Sequence, residues 1–373
     1  MEGTKPRTGN AIGMFDLLKG LGMITIVLAH TAELYPVQIS GGLSLTAFFP
    51  FIYREALMAA FFIASGYGFR KRSVKKCVQQ QLQGLLKPYC ITAVCTSVLH
   101  LICHYLAFHY LPGSITETIK VAGGFLLGLP HTTTYAGQQF FSTGPMWYLL
   151  ALMVGWVLLD LILNIFPEVY EHWAVLGCML LGWAVSLVWE PPFCLVQGAV
   201  IVPYLYIGYL AKKHRWLDKP MPRPVLWLLL GGTALTAVGA LLTRSTDCIS
   251  MGQWTLGPLS ILLDAATGYL FIRLFVKLNR FQGPVAQGLQ AIGRSSLNIF
   301  CIHTVELIAI PWYLLAARFA SRPLAGIALQ GMITFASIWA VCQLLRLRRD
   351  WIIRRKAAAR RSAAPKAPAL SRH

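Results

Sequence analysis

Three ionisable residues interrupt the apolar stretch FDLLKGLGMITIVLAHT, residues 15–31: Asp16, Lys19 and His30. Each costs free energy in hydrocarbon, about 2.5–3.5 kcal/mol for Asp or Lys at a helix centre on the insertion scale. Charge kept at that cost marks a functional candidate. On a helix, Asp16 and Lys19 are three residues apart and can pair. Lys19 and His30 are eleven apart, three turns plus about 20°, so they share a face and lie about 16 Å from each other along the axis. Glu33, one turn beyond His30, can orient the imidazole or stabilise its charged form. The stripe thus offers a cation at one end and an acid–base group at the other, with His30 suited to general-base work and Glu33 to its support. The competing reading is a buried polar stripe that only locks helix packing.

A second histidine, His303, lies mid-helix in IGRSSLNIFCIHTVEL with Glu306 on the same face. It can bind a substrate or close a polar bundle core. Ser65 in SGYG reads as a small residue for close helix contact at the substrate region rather than as a nucleophile. Trp147 and Tyr148 open an apolar helix where an interfacial aromatic belt accounts for them. The uncharged stretch HTTTYAGQQFFSTG, residues 131–144, is rich in hydroxyl, amide and aromatic groups suited to stacking on a sugar; an ordinary surface loop fits equally well. His100, Cys103, His104 and His109 have partial metal-ligand spacing, but no acid sits with them, so interfacial packing is favoured and no metal is expected. Asp160 and Asp264 are isolated acids expected to pair across the bundle.

The elements that must position these residues are helices in a membrane. Of 373 residues 56% are hydrophobic and only 13% charged, with mean hydropathy +0.58; a soluble domain carries roughly 25% charged residues. Apolar runs long enough to span recur at about 14–35, 47–69, 88–111, 145–166, 172–190, 194–211, 225–243, 254–276, 292–317 and 324–345, which predicts an all-α, polytopic transmembrane bundle of about ten spans. The N-terminal ten residues hold no apolar core and no cleavage site follows, so the first helix is expected to stay as an anchor. Six basic residues fall in 70–87, five in 212–224 and three in 277–294. These segments share the cytoplasmic side only if 119–129 (IKVAGGFLLGL) is re-entrant or superficial, which places both termini in the cytoplasm. Residues 1–345 read as one membrane domain. Residues 346–373 form a basic, Ala/Pro-rich tail expected to be disordered and to lie on anionic lipid headgroups. The net charge of +19 is concentrated there: ten Lys/Arg against one acid. That distribution argues against nucleic acid as a partner. The nine cysteines form no CxxC pair and read as small packing residues.

Four stretches, in sequence order, carry a resemblance. DLLKGLGMITIVLAHT, MAAFFIASGYGFRK, PMWYLLALMVGWVL and IGRSSLNIFCIHTVEL resemble, respectively, the first helix, the second helix, the W-F/Y-L helix and the late histidine-bearing helix of the acyltransferase-3 family of integral membrane acyltransferases. Lys19 at the basic position of the first motif is closer to the fucose 4-O-acetylase-like branch. QQQLQGLLKPY departs from the Arg-x-x-Arg often found before the helix-opening proline and keeps only Lys87. The resemblance implies transfer of an acyl group, commonly acetyl from acetyl-CoA or another acyl-CoA, to a hydroxyl on an envelope glycan or related acceptor. The implied setting is a multi-pass protein of the cell membrane, bacterial in type, with no permanently bound cofactor. The phosphates of such a donor suit cytoplasmic cations, and Lys19, Arg70, Lys75, Lys76 and Lys87 are the candidates; for Arg70–Lys76 a stop-transfer charge run is an equal alternative. His30 is then the base, Glu33 its partner, and His303, Glu306, Trp147 and Ser65 the expected substrate-side residues. A transporter with midplane His and acid residues is the rival class, although no repeated halves with matched broken helices occur. A non-catalytic membrane sensor is a third.

Overall fold

Apolar segments in lipid must satisfy their backbone groups internally, so they become helices; in the computed structural model 79% of the described residues are helical. It describes residues 11–35, 38–39, 43–44, 56–243 and 245–362. Helix α1 spans Ala11–Glu33 and α2 Met58–Gly68. Between them lies a short antiparallel pair, β1 (Gln38–Ile39) and β2 (Leu43–Ser44). Helix α3, Val74–Phe108, is continuous through a π turn at Leu82–Leu86 and ends at His109 in the left-handed region. From there α4 (Leu111–Leu127) doubles back along α3, joined by His100 Nδ1 to Thr118 Oγ1 and His104 Nδ1 to Ser114 Oγ, both 2.9 Å. A hairpin, β3 (Thr133–Tyr135) and β4 (Gln138–Phe140), follows. Next come α5 (Trp147–Ile165), α6 (Glu171–Ser186), α7 (Leu195–Lys213), α8 (Arg223–Thr243) and α9 (Pro258–Leu278). The chain closes with α10 (Pro284–Arg294), α11 (Ser296–Ala309), α12 (Trp312–Arg318) and α13 (Pro323–Ser362).

Seven described helices are long and apolar enough to cross a membrane, eight if α11 and α12, bent by 66°, form one span. The sequence suggested about ten. The difference is length: α6 is 16 residues, and α2 is 11, with the first part of segment 47–69 outside the described residues. Residues 119–127 of segment 119–129 belong to α4, which at 17 residues is not among the helices long enough to cross. Leu129 carbonyl accepts the Thr143 amide at 3.0 Å, so the chain is still at the level of the α5 start when α4 has ended. The largest correction concerns the basic tail. Residues 346–362 continue α13 as helix instead of ending it at 345. The segment RLRRDWIIRRKAAARRS holds neither Gly nor Pro, and Leu, Arg, Lys and Ala favour helix; the first proline is Pro365. Residues 363–373 lie outside the described residues.

The basic connections gather at one end of the bundle. Arg72 donates its amide to Asp160 Oδ1 (3.0 Å) and Asn164 Nδ2 donates to the Arg72 carbonyl (2.9 Å), pinning the α2–α3 link to the foot of α5. Asp160 therefore pairs across the bundle with a backbone rather than with a cation. Lys213 meets Glu168 at 2.6 Å, and Phe15 of α1 contacts Tyr67 of α2, ring centroids 5.0 Å apart. Close approach of α1 and α10 depends on glycine: a Cβ on Gly20 would strike the Leu289 carbonyl, and one on Gly293 that of Asp16.

Candidate active site

Helix α1 brings its polar stripe into the bundle as its spacing predicts. Asp16 lies near Lys19 (Oδ1–Nζ 3.8 Å) and near Arg294, which α10 supplies (Oδ2–Nη1 4.0 Å). At the other end His30 Nδ1 meets Glu33 Oε2 at 3.3 Å. With the Nδ1 proton directed at the carboxylate, Nε2 is the basic atom. Opposite stands an equivalent pair from α11: His303 Nδ1 to Glu306 Oε2, 3.2 Å. The two imidazole centroids are 5.7 Å apart. Glu306 uses its second oxygen to accept the Thr334 hydroxyl of α13 at 2.7 Å. His303 is fully buried, and its Nε2 has no hydrogen-bond partner among the described residues.

Two cavities meet beside His30. The upper, about 420 Å³, is lined by His30 and Glu33, by Trp147 and Tyr148, and by His131, Thr132, Ser142 and Ser250 from the end away from the basic connections. The lower, about 370 Å³, carries Lys19 and is otherwise mostly apolar, with Ser65, Leu85, Trp156 and Ser296 in its wall. Ile26, Met58, Tyr148 and Phe300 belong to both linings and form a waist between them. The two cavities, end to end across this waist, mark out a route from the cation towards the imidazole. Trp156 also lines the lower wall, and its buried indole N–H has no hydrogen-bond partner among the described residues.

The structure brings together Lys19, His30, Glu33, Ser65 and Trp147 along this route. His303 and Glu306 line neither cavity; the His303 ring faces that of His30, and Glu306 meets His303 and Thr334. Of the remaining expected cations none lines the route. Arg70, Lys75 and Lys76 are exposed at the basic end, where Arg70 lies close enough to Lys212 to repel it. Lys87 is exposed, and it follows the cavity-lining Leu85 by two residues, which on a helix turns it to the opposite face. Arg294 joins the site without a sequence signal: its link to Lys19 through Asp16 needs α10 laid on α1 and leaves no local trace. Thr334 is likewise invisible before the fold. Tyr148 was legible only as a belt residue, although its neighbour Trp147 already marked the helix.

His131, Thr132, Ser142 and Gly144 from the two ends of the 131–144 stretch, with Pro130 just before it, line the upper cavity, whereas the hairpin between them does not. His131 Nδ1 contacts the Ser250 carbonyl at 3.0 Å. The hairpin is held by Tyr135, whose hydroxyl donates to the Glu190 carbonyl, while Gln197 Nε2 donates to Glu190 Oε1 at 3.1 Å. Burial raises the Glu190 carboxyl above its usual range, against the opposing pull of Gln197 and His131. The stacked His100 and His104 spend their Nδ1 atoms on hydroxyls of α4. No group of three or more metal-ligating side chains comes together among the described residues.

Neither the curated proteins nor the solved structures contain a match to this chain. The acyltransferase domain that defines the acyltransferase-3 family matches it over residues 12–345, which takes in every residue of the route and both histidine pairs. The chain belongs to the acyltransferase-3 family and is a multi-pass membrane acyltransferase.

Proposed function

We propose that the protein moves an acyl group, acetyl in the first instance, from acyl-CoA held at the basic, cytoplasmic end to a hydroxyl of an extracytoplasmic glycan or similar envelope acceptor. The observation that carries this reading is the shared waist: a cavity bearing Lys19 and a cavity bearing His30 and Glu33 are joined by four common residues. Donor phosphates stay among Lys19 and the exposed cations, where charge-assisted hydrogen bonds are strongest. The pantetheine arm lies along the mostly apolar lower cavity. The acceptor occupies the upper cavity, among His131, Thr132, Ser142, Ser250 and Trp147.

In the transfer, His30 Nε2 takes the acceptor's hydroxyl proton as that oxygen attacks the thioester carbon. The C–O bond forms, the carbonyl becomes an oxyanion, and on collapse the C–S bond breaks. The departing thiolate then receives the proton from His30, leaving the ester and the free thiol of CoA. Glu33 holds the ring and balances its transient charge. His303, itself held by Glu306 and Thr334, fixes the imidazole from behind. Lys19 in the first motif supports the fucose 4-O-acetylase-like branch, hence a sugar hydroxyl. A transporter does not account for membership of an acyltransferase family.

Sidedness tests the proposal. In sealed vesicles of known orientation, activity should require acetyl-CoA on the side bearing the α13 basic extension and acceptor on the other. Full activity with both substrates confined to the α13-extension side would overturn it and move the acceptor site to the cytoplasmic face.

A further inference from the structure

The transfer leaves one requirement unmet by the histidine pairs. Negative charge develops on the thioester carbonyl oxygen, and a preorganised donor there is commonly the largest single contribution to catalysis. His30 is occupied with the acceptor proton and cannot also serve that oxygen. The carbonyl has to lie at the waist, because the donor fills the cavity below and the acceptor and base are above. Of the four waist residues, Ile26, Met58 and Phe300 have no polar side-chain hydrogen; Tyr148 has a phenol.

The hydrogen-bond accounting around that phenol is specific. Ser65 Oγ donates its only proton to the Phe61 carbonyl at 2.8 Å. The contact between Ser65 Oγ and Tyr148 Oη, at 3.3 Å, must then have Tyr148 as donor. That distance lies beyond the usual 2.5–3.0 Å for O–H···O, so it is a long bond readily exchanged for a better acceptor. The ring itself has little freedom. It stacks on Phe62 with centroids 4.7 Å apart and meets Phe300 edge-on at 6.1 Å. Only the hydroxyl hydrogen needs to turn.

We infer that Tyr148 is a catalytic residue: its phenol donates to the carbonyl oxygen of the bound thioester and holds the oxyanion of the tetrahedral intermediate, with Ser65 as its resting partner. The inference rests on the donor reading above. It separates the two aromatic residues of the W-Y-L helix by task, Trp147 to the wall of the upper cavity and Tyr148 to the reacting atoms.

The test uses the full chain in nanodiscs and acetyl-CoA carrying ¹³C at the carbonyl. Infrared difference spectra should show the bound carbonyl stretch at lower frequency than that of free acetyl-CoA. Tyr148→Phe, which keeps every ring contact, should bind acetyl-CoA with unchanged affinity and lose that shift. In thiol-release assays the same variant should lose about 10²–10³-fold in kcat with KM for acetyl-CoA unaltered. Ser65→Ala, which removes only the resting partner, should keep the shift. Tight binding with an unshifted carbonyl in the unmodified protein, or a shift that survives in Tyr148→Phe, overturns the assignment while leaving the donor reading standing. Failure of the unmodified protein to bind acetyl-CoA sinks the donor reading instead, and the assignment with it.

Discussion

His30 and His303 have the same partner type at the same i,i+3 spacing, and their rings face each other, yet their surroundings give them different work. His30 opens onto the upper cavity, whereas His303 is sealed beneath it. A group that must meet a substrate cannot be the sealed one. His30→Ala is therefore expected to lower kcat by about 10²–10⁴-fold, the usual worth of general-base catalysis, without loss of membrane insertion; retention of more than about a tenth of the turnover would remove His30 from that role. The stripe Asp16–Lys19–His30–Glu33 was legible from residue numbers alone, because helical periodicity fixes which side chains share a face. The second pair was legible as a candidate but not as a neighbour of the first. No rule of local spacing brings residue 303 to residue 30; packing of α11 on α1 does. The same limit explains why four of the five expected donor cations fall off the route, since a run of charge locates a membrane boundary and not a cavity wall.

Among the elements, helix existence was readable almost throughout and helix ends were not. The last helix overran its expected end by 17 residues because an Arg/Ala-rich sequence is polar enough to leave the bilayer and still helix-prone. In the sequence the β3–β4 hairpin is no more than a polar stretch, and nothing local marks Glu190 as its anchor. Burial raises that carboxyl, so the folded protein binds its proton more tightly than the unfolded chain does. The resulting stabilisation is complete below the ordinary glutamate range and is lost as pH rises through the elevated folded value. Glu190→Gln preserves the acceptor for Gln197 and is permanently neutral. Its thermal midpoint should exceed that of the unmodified protein at pH 7, and the gap should close as pH falls towards about 4.5. A gap that is constant across pH would show that the hairpin is indifferent to that charge.

For the whole molecule, the sequence supplied class and family: apolar runs, the bias of Lys and Arg, and four motifs in order lead to a membrane acyltransferase. The joined cavities were not foreseeable, because a cavity is what side chains leave unfilled once all helices are placed. The waist has a consequence beyond chemistry. A membrane that stores an ion gradient tolerates no wet path across it, and two chambers that meet inside a bundle come close to being one. Ile26, Met58, Phe300 and the ring of Tyr148 are the electrical insulation: an apolar constriction stays dry, and a dry gap stops protons as well as ions. Widening it should turn the enzyme into a leak. Phe300→Ala in proteoliposomes loaded with a pH-sensitive dye is expected to dissipate an imposed proton gradient faster than the unmodified protein, with acetyl-CoA slowing the loss by filling the lower chamber. Equal dissipation rates would mean that the seal lies elsewhere. The residues proposed to pass one acyl group are thus also the ones expected to hold the gradient.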